Sequence, residues 1–170
     1  MISFRNGILG ILTFLLLACS CQSKKAETIP QLLKQLEKDS VALDKIERQY
    51  PERILTNFCW CDSMLQFIPQ EQVDDCFETL NLAQAYLRQF DEILPVMKRD
   101  MAYIKTQLGN LQSDIDSHYI NDSLAAVYLQ DEFASADTLH NRIVYFEERL
   151  SQQDKELQSL RKTIRKAASK

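Results

Sequence analysis

The feature that most restricts this chain is an apolar seam from Val73 to Ile115. Val73, Cys76, Leu80, Ala83, Leu87, Phe90, Leu94, Met97, Met101, Ile104, Leu108, Leu111 and Ile115 succeed one another in alternating steps of three and four. That spacing keeps one stripe of a helix turned toward a partner helix over about six heptads, and it is incompatible with the two-residue period of a strand. Pro95 falls inside the seam but one residue off it, and the phase survives, so a kink rather than a stop is expected.

A second seam comprises Ala136, Leu139, Ile143, Phe146, Leu150, Gln153, Leu157, Leu160 and Ile164. Between the seams, His118 to Ser123 reads as a turn. Folding back about residue 120 sets Leu80 opposite Leu160, Leu87 opposite Gln153, Phe90 opposite Leu150 and Leu94 opposite Phe146. Charge agrees with this pairing. Glu71, Asp74, Asp75 and Glu78 open one helix, and Arg161, Lys162, Arg165 and Lys166 close the other. The fold-back puts Asp74 beside Lys166 and Glu78 beside Lys162, and each cluster suits its own helix dipole. A phosphate or lipid contact is the rival reading of the basic tail. At Glu132 and Phe133 the second seam loses its phase, which predicts a register shift or bulge.

Two shorter helices are expected ahead of the hairpin. The first begins at Thr28, with Gln31 completing a capping box, and carries Leu32, Leu36, Leu43, Ile46 and Tyr50. The second follows Pro51 and carries Ile54, Phe58, Cys61, Leu65 and Ile68, ahead of a turn at Pro69. They are expected to cover Phe77, Leu82, Tyr86 and Ile93, leaving a bare two-helix arm beyond Leu94. The fold class is therefore all-α: a long antiparallel coiled-coil hairpin over 70–170, turning near 119–122, with the two helices of 28–69 packed at its base. Only three glycines and four prolines occur in 170 residues, too few for turn-rich sandwiches or barrels.

The N-terminus has a different character. Arg5 precedes an apolar stretch from Ile8 to Leu17, interrupted only by Gly10 and Thr13. This is short of the roughly 20 residues needed to span a bilayer but suits an export signal. It ends in Leu16-Leu17-Ala18-Cys19, which resembles the lipobox of bacterial lipoproteins. The resemblance covers about the first 21 residues. It implies removal of residues 1–18, thioether attachment of a diacylglycerol to Cys19 and acylation, as with palmitate, of the new amino group. Leu17 is larger than is usual at its place, and Cys21 fits the motif less well than Cys19. Several acyl chains together anchor a protein firmly where one binds only marginally. Residues 19–27 then form a lipidated, polar tether. In general plan the chain resembles the small coiled-coil lipoproteins of Bacteroidetes. Ser20 after Cys19, followed by Lys24 and Lys25, points by analogy to the outer membrane, facing the periplasm.

An exported chain invites disulfides among Cys21, Cys59, Cys61 and Cys76. Cys61 and Cys76 flank the Pro69 turn and are the favoured pair, with Cys59–Cys76 the alternative; Cys21 is either free or joined to Cys59. Cys59-Trp60-Cys61 also raises thiol exchange or soft-metal binding. Exchange needs a lowered thiol pKa, and these cysteines lie mid-helix beside Asp62. His118 and His140 are read as separate solvated residues, and no metal, cofactor or catalytic residue is expected. The net charge is −4, and −5 once Arg5 leaves with the signal, so there is no general basic excess to attract nucleic acid. The expected role is non-enzymatic: a membrane-held structural or protein-interaction module, with an unidentified protein partner and oligomers open. The alternatives are a holdase or assembly factor using helical arms, and, less favoured, a thiol-redox protein.

Overall fold

Leucine, alanine, glutamate, glutamine and lysine are abundant and glycines and prolines few, and these five residue types lose little side-chain freedom in a helix. The computed structural model describes residues 6–68 and 74–168, with side-chain surroundings from residue 28 onward except at 74 and 75. It contains α1 (Asn6–Gln49), α2 (Pro51–Leu65), α3 (Asp74–Asp116) and α4 (Asp122–Ala168). No strand occurs among the described residues. The all-α reading holds, and α3 runs unbroken through Pro95 as expected.

α1 departs from expectation. It runs from Asn6 through Thr28 and Pro30, so Thr28 lies inside the helix and not at its start, and residues 20–27 are helical backbone. The side chains of Cys19 and Cys21, and with them the lipobox, lie outside the described residues. Among the described residues no helix is long and apolar enough to cross a membrane. At its other end α1 leads into α2 almost without a break. Tyr50 keeps right-handed helical angles, its N–H donates to Ile46 at 3.1 Å, and its carbonyl accepts from Ile54 at 2.9 Å. Pro51 is harmless there because the first residue of a helix needs no donor.

The chain divides into two compact units, residues 1–37 with 103–136, and residues 38–102 with 137–170. In the second unit, three lateral ion pairs fix which helices are neighbours. Glu47 of α1 meets Lys98 of α3 at 2.6 Å, Asp100 of α3 meets Arg142 of α4 at 3.6 Å, and Lys45 of α1 meets Glu147 of α4 at 3.2 Å. Such pairs add little stability each, but they report register. Partner numbers run in opposite senses between α3 and α4, where Tyr86 lies against Arg149 and Phe90 against Phe146. They run in the same sense between the α1–α2 path and α4, where Asp39 meets His140, Arg53 meets Asp154 and Asn57 meets Arg161. Phe90 meets Phe146, the seam residue next to the Leu150 expected opposite it, while the Asp100–Arg142 pair lies close to the expected register.

Buried Leu43, Ile46, Tyr50, Ile54, Cys61 and Leu65 form the α1–α2 side of this core. The α3 side is built from Leu80, Ala83, Phe90, Met97 and Met101, and the α4 side from Ile143, Phe146, Leu150, Leu157 and Ile164. Burying one such side chain is worth about 1.5–3 kcal/mol. Because α1 and α2 form one path instead of a folded pair, they do not wrap the flank of α3. Phe77 and Leu82, expected beneath them, are 46% and 41% exposed.

The first unit corrects the idea of a bare two-helix arm. α1 is present there too: Ile29, Leu32 and Leu36 are buried together with Ile104, Leu108, Leu111, Ala125 and Ala136. Glu37 pairs with Lys105 at 3.3 Å. α4 passes Glu132 without a bulge, since Ala125, Glu132, Ala136 and Leu139 keep helical phase. The carboxyl is simply accommodated half-buried. Its Oε2 has no hydrogen-bond partner among the described residues. Burial first, and Asp131 second, push its pKa above the ordinary range. A carboxyl whose folded pKa is raised penalises folding when ionised, and the penalty fades as pH falls toward the unfolded value near 4.3. Glu132→Gln is therefore expected to raise the melting temperature at pH 7. That gain should shrink in melts at acid pH, where the wild-type carboxyl is already protonated.

The α3–α4 connection forms where the sequence places it. His118 has φ 57°. Tyr119 N–H donates to Asp114 O at 2.9 Å and His118 N–H to Ile115 O at 3.1 Å, the two bonds of a Schellman motif. Asn121 then caps α4, its Oδ1 accepting from Leu124 N–H at 2.9 Å. The left-handed position usually holds glycine, and a side chain there costs about 1 kcal/mol. His118→Gly should raise unfolding stability by up to about that amount in urea denaturation. The gain is expected to be tempered by loss of the contact between its Nδ1 and Asp116 O at 3.1 Å.

Candidate functional site

Two surfaces stand out, one in each unit. In the second unit, α1, α2 and the last turns of α4 border a shallow, open cleft of about 620 Å³. Arg48, Arg53, Arg161, Lys162 and Arg165 line it, with Glu52 as the one acidic residue of the lining. Local geometry explains the convergence. α2 runs alongside α4, so Arg53 and Asn57 on consecutive turns meet Asp154 and Arg161 on α4. Arg53 grips buried Asp154 through two bonds, Nε to Oδ1 at 2.8 Å and Nη2 to Oδ2 at 2.7 Å. Arg161 donates from Nη1 to Asn57 Oδ1 at 2.9 Å.

Trp60, which is not itself part of the lining, holds two of these cations. The guanidinium of Arg161 lies 4.8 Å from its ring centroid and that of Arg165 lies 5.3 Å away. Cation–π contacts of this kind are worth about 0.5–2 kcal/mol each and leave the N–H groups of the guanidinium unspent. Arg161, Lys162 and Arg165 have no carboxylate within salt-bridge distance among the described residues. The expected Glu78–Lys162 pair is not formed, and the side chain expected beside Lys166, that of Asp74, lies outside the described residues.

Cys61 is fully buried, with its thiol 3.9 Å from Leu157 O. No disulfide joins Cys59, Cys61 and Cys76. Both the favoured Cys61–Cys76 bridge and the Cys59–Cys76 alternative are thus corrected, although Cys76 is near enough to influence the Cys61 charge. Burial raises the Cys61 pKa to about 11, against an opposing pull from Arg161 and with a further push from Cys76. A thiol so placed is a poor nucleophile near neutrality. Iodoacetamide at neutral pH should alkylate exposed Cys59 and leave Cys61 unmodified until denaturant is added, as read by peptide mass mapping.

The histidine reading also changes. His140 is not a lone solvated residue: its Nδ1 lies 2.8 Å from Oδ1 of Asp39, a carboxylate 5% exposed within the α1 seam. His118 does lie at the surface. Among the described residues no three His, Cys, Asp or Glu side chains are grouped to hold a metal ion.

The second surface belongs to the first unit. Leu124, Val127 and Tyr128 are 39%, 54% and 47% exposed and lie on one face of α4, three and four residues apart. Tyr119 in the preceding turn is 83% exposed. Asp114, Asp116, Asp122 and Asp131 are also exposed, and residues 103–136 contain one lysine, Lys105, and no arginine. Apolar side chains therefore stand in an acidic surround. The basic tail was visible in the sequence, with a phosphate or lipid contact as its rival reading, but Arg48 and Arg53 lie more than 100 positions away, so the cleft was not. The sequence reading gave no role to Leu124, Val127 and Tyr128, which precede its second seam. The chain matches no protein-family model, no curated protein and no solved structure.

Proposed function

We propose that this protein is a lipid-anchored envelope protein that works by holding a protein partner, not by catalysis. The anchor in this reading is the Cys19 lipid. The binding face is Leu124, Val127 and Tyr128, whose side-by-side exposure on α4 is the observation that carries the proposal. Large apolar side chains set one turn apart on an exposed helix face are the usual anchors of helix recognition. The surrounding aspartates specify the partner's chemistry: an apolar patch edged with lysine or arginine. Electrostatic attraction then speeds encounter, and the apolar contact sets the lifetime of the complex.

A photo-crosslinking residue at Val127, in the full chain in native membranes, tests the binding face. A discrete adduct is expected at Val127 and not at exposed Lys155 of the second unit. Asp122→Lys with Asp131→Lys should diminish the adduct. Equal labelling at both sites, or none at Val127, removes the proposal; an adduct of twice the chain's own mass replaces it with self-association. The anchor is checked separately. Cys19→Ser is expected to abolish palmitate incorporation and release the chain from the membrane fraction.

A further inference from the structure

The basic cleft of the second unit plays no part in that reading. We propose that it is a binding site for a phosphorylated ligand, a molecule carrying a phosphomonoester or pyrophosphate group, gripped by Arg161, Lys162 and Arg165.

The first argument is the balance of charge. Five cationic side chains line the cleft against a single acid, Glu52. Two of the five are already engaged, Arg53 with Asp154 at 2.7 Å and Arg48 with Asp44 at 3.9 Å. The other three project from adjoining positions of α4 toward one space, with no carboxylate to answer them among the described residues. Like charges on a free helix end spread into solvent. Here two of them are held against the same indole.

The second argument is preorganisation. The Arg161 guanidinium is pinned by Asn57, itself buried, and by the face of Trp60. That commits Nη1, while Nε is closed off from solvent, and Nη2 is left uncommitted. A guanidinium held flat keeps that group in one orientation, so less side-chain freedom is lost when it meets a phosphate oxygen.

The third argument selects the class of anion. A single carboxylate offers one charge to three cations. A phosphomonoester offers nearly two charges and three acceptor oxygens, so it can meet a fork and an ammonium together. The space of about 620 Å³ is far larger than a bare phosphate needs, and Thr56 and Gln158 at its edge supply hydrogen-bonding groups for an organic remainder. A lipid headgroup and a soluble phosphate compound share this chemistry.

Trp60 is the only tryptophan, and the proposed ligand groups rest on it, so its fluorescence reports the site directly. The full chain is titrated with pyrophosphate in detergent. In parallel it is reconstituted into phosphatidylcholine vesicles with and without phosphatidic acid. A saturable fluorescence change with pyrophosphate assigns a soluble phosphate, and a change confined to phosphatidic acid assigns a headgroup; either supports the proposal. Lys162→Gln combined with Arg165→Gln, two exposed changes, should weaken binding by about tenfold or more while helicity by circular dichroism is unchanged. Calorimetry on the same variant gives a readout independent of the indole. No saturable response in either arm, or equal affinity in the double variant, overturns the proposal. Tighter binding of a poly-glutamate peptide than of pyrophosphate overturns it in favour of an acidic protein segment.

Discussion

Truncating Phe90 to alanine is expected to lower unfolding stability by about 3–5 kcal/mol, the largest effect of any single core change considered for this chain. Phe90 has no exposed surface, and its ring meets the edge of Phe146 with centroids 5.5 Å apart at 61°. Phe146 is itself 3% exposed and stands at 5.2 Å from Tyr145. Removing the ring loses its transfer energy and the edge-to-face contact, and it leaves a void that neighbours fixed by lateral ion pairs cannot readily fill. Urea denaturation should show a lower midpoint at unchanged slope. Phe77→Ala is the informative control. With Phe77 46% exposed, its loss should cost below about 1 kcal/mol. Had short helices covered that flank of α3, the two truncations would cost similar amounts. A small effect at Phe90 would mean that the α3–α4 register is wrong.

Periodicity carried the sequence reading as far as apolar side chains define it. The α3 seam is buried from Leu80 to Leu111 except at half-buried Leu87 and Leu94, and the turn at His118 to Asn121 lies where two seams require it, because period and turn chemistry are local properties. The α1–α2 path was misjudged for a physical reason. Its buried row includes Asp39 and Asn57, polar residues that a hydrophobic pattern skips. Their burial makes sense only through His140 and Arg161, about 100 positions later, and pairing at that distance leaves no periodic trace. It was Pro51, read as a break in the path, that divided the row into two fragments, whereas a proline at the first position of a helix lets the path continue. The cleft was hidden by the same separation in sequence. The cysteines misled for the opposite reason: symmetry about Pro69 suggested a bond between Cys61 and Cys76, but symmetric spacing in a sequence does not by itself bring two sulfurs to bonding distance.

Those buried polar contacts set the second large effect. Arg53→Met is expected to cost about 2–4 kcal/mol, although Arg53 is an α2 residue with 42% of its side chain exposed. The loss falls on its partner. The Asp154 side chain is 5% exposed, and without Arg53 its remaining support is the Gln158 amide, 2.9 Å from Oδ2. A carboxylate stranded in that position must stay charged without a counterion or take up a proton, and either is unfavourable in the fold. Methionine keeps an unbranched apolar side chain but removes the guanidinium that lies 5.4 Å from the Tyr50 centroid, a smaller loss of about 0.5–1 kcal/mol. The double variant Arg53→Met with Asp154→Leu separates the explanations. If the stranded charge is the cause, removing it should recover most of the stability, since a buried ion pair and an apolar pair of similar volume are often close in energy. If Arg53 mattered only as surface bulk, Arg53→Met would cost below about 1 kcal/mol and Asp154→Leu alone would be harmless. Because Arg53 also lines the cleft, the comparison belongs in anion-free buffer, where ligand binding cannot add its own stabilisation to the wild type.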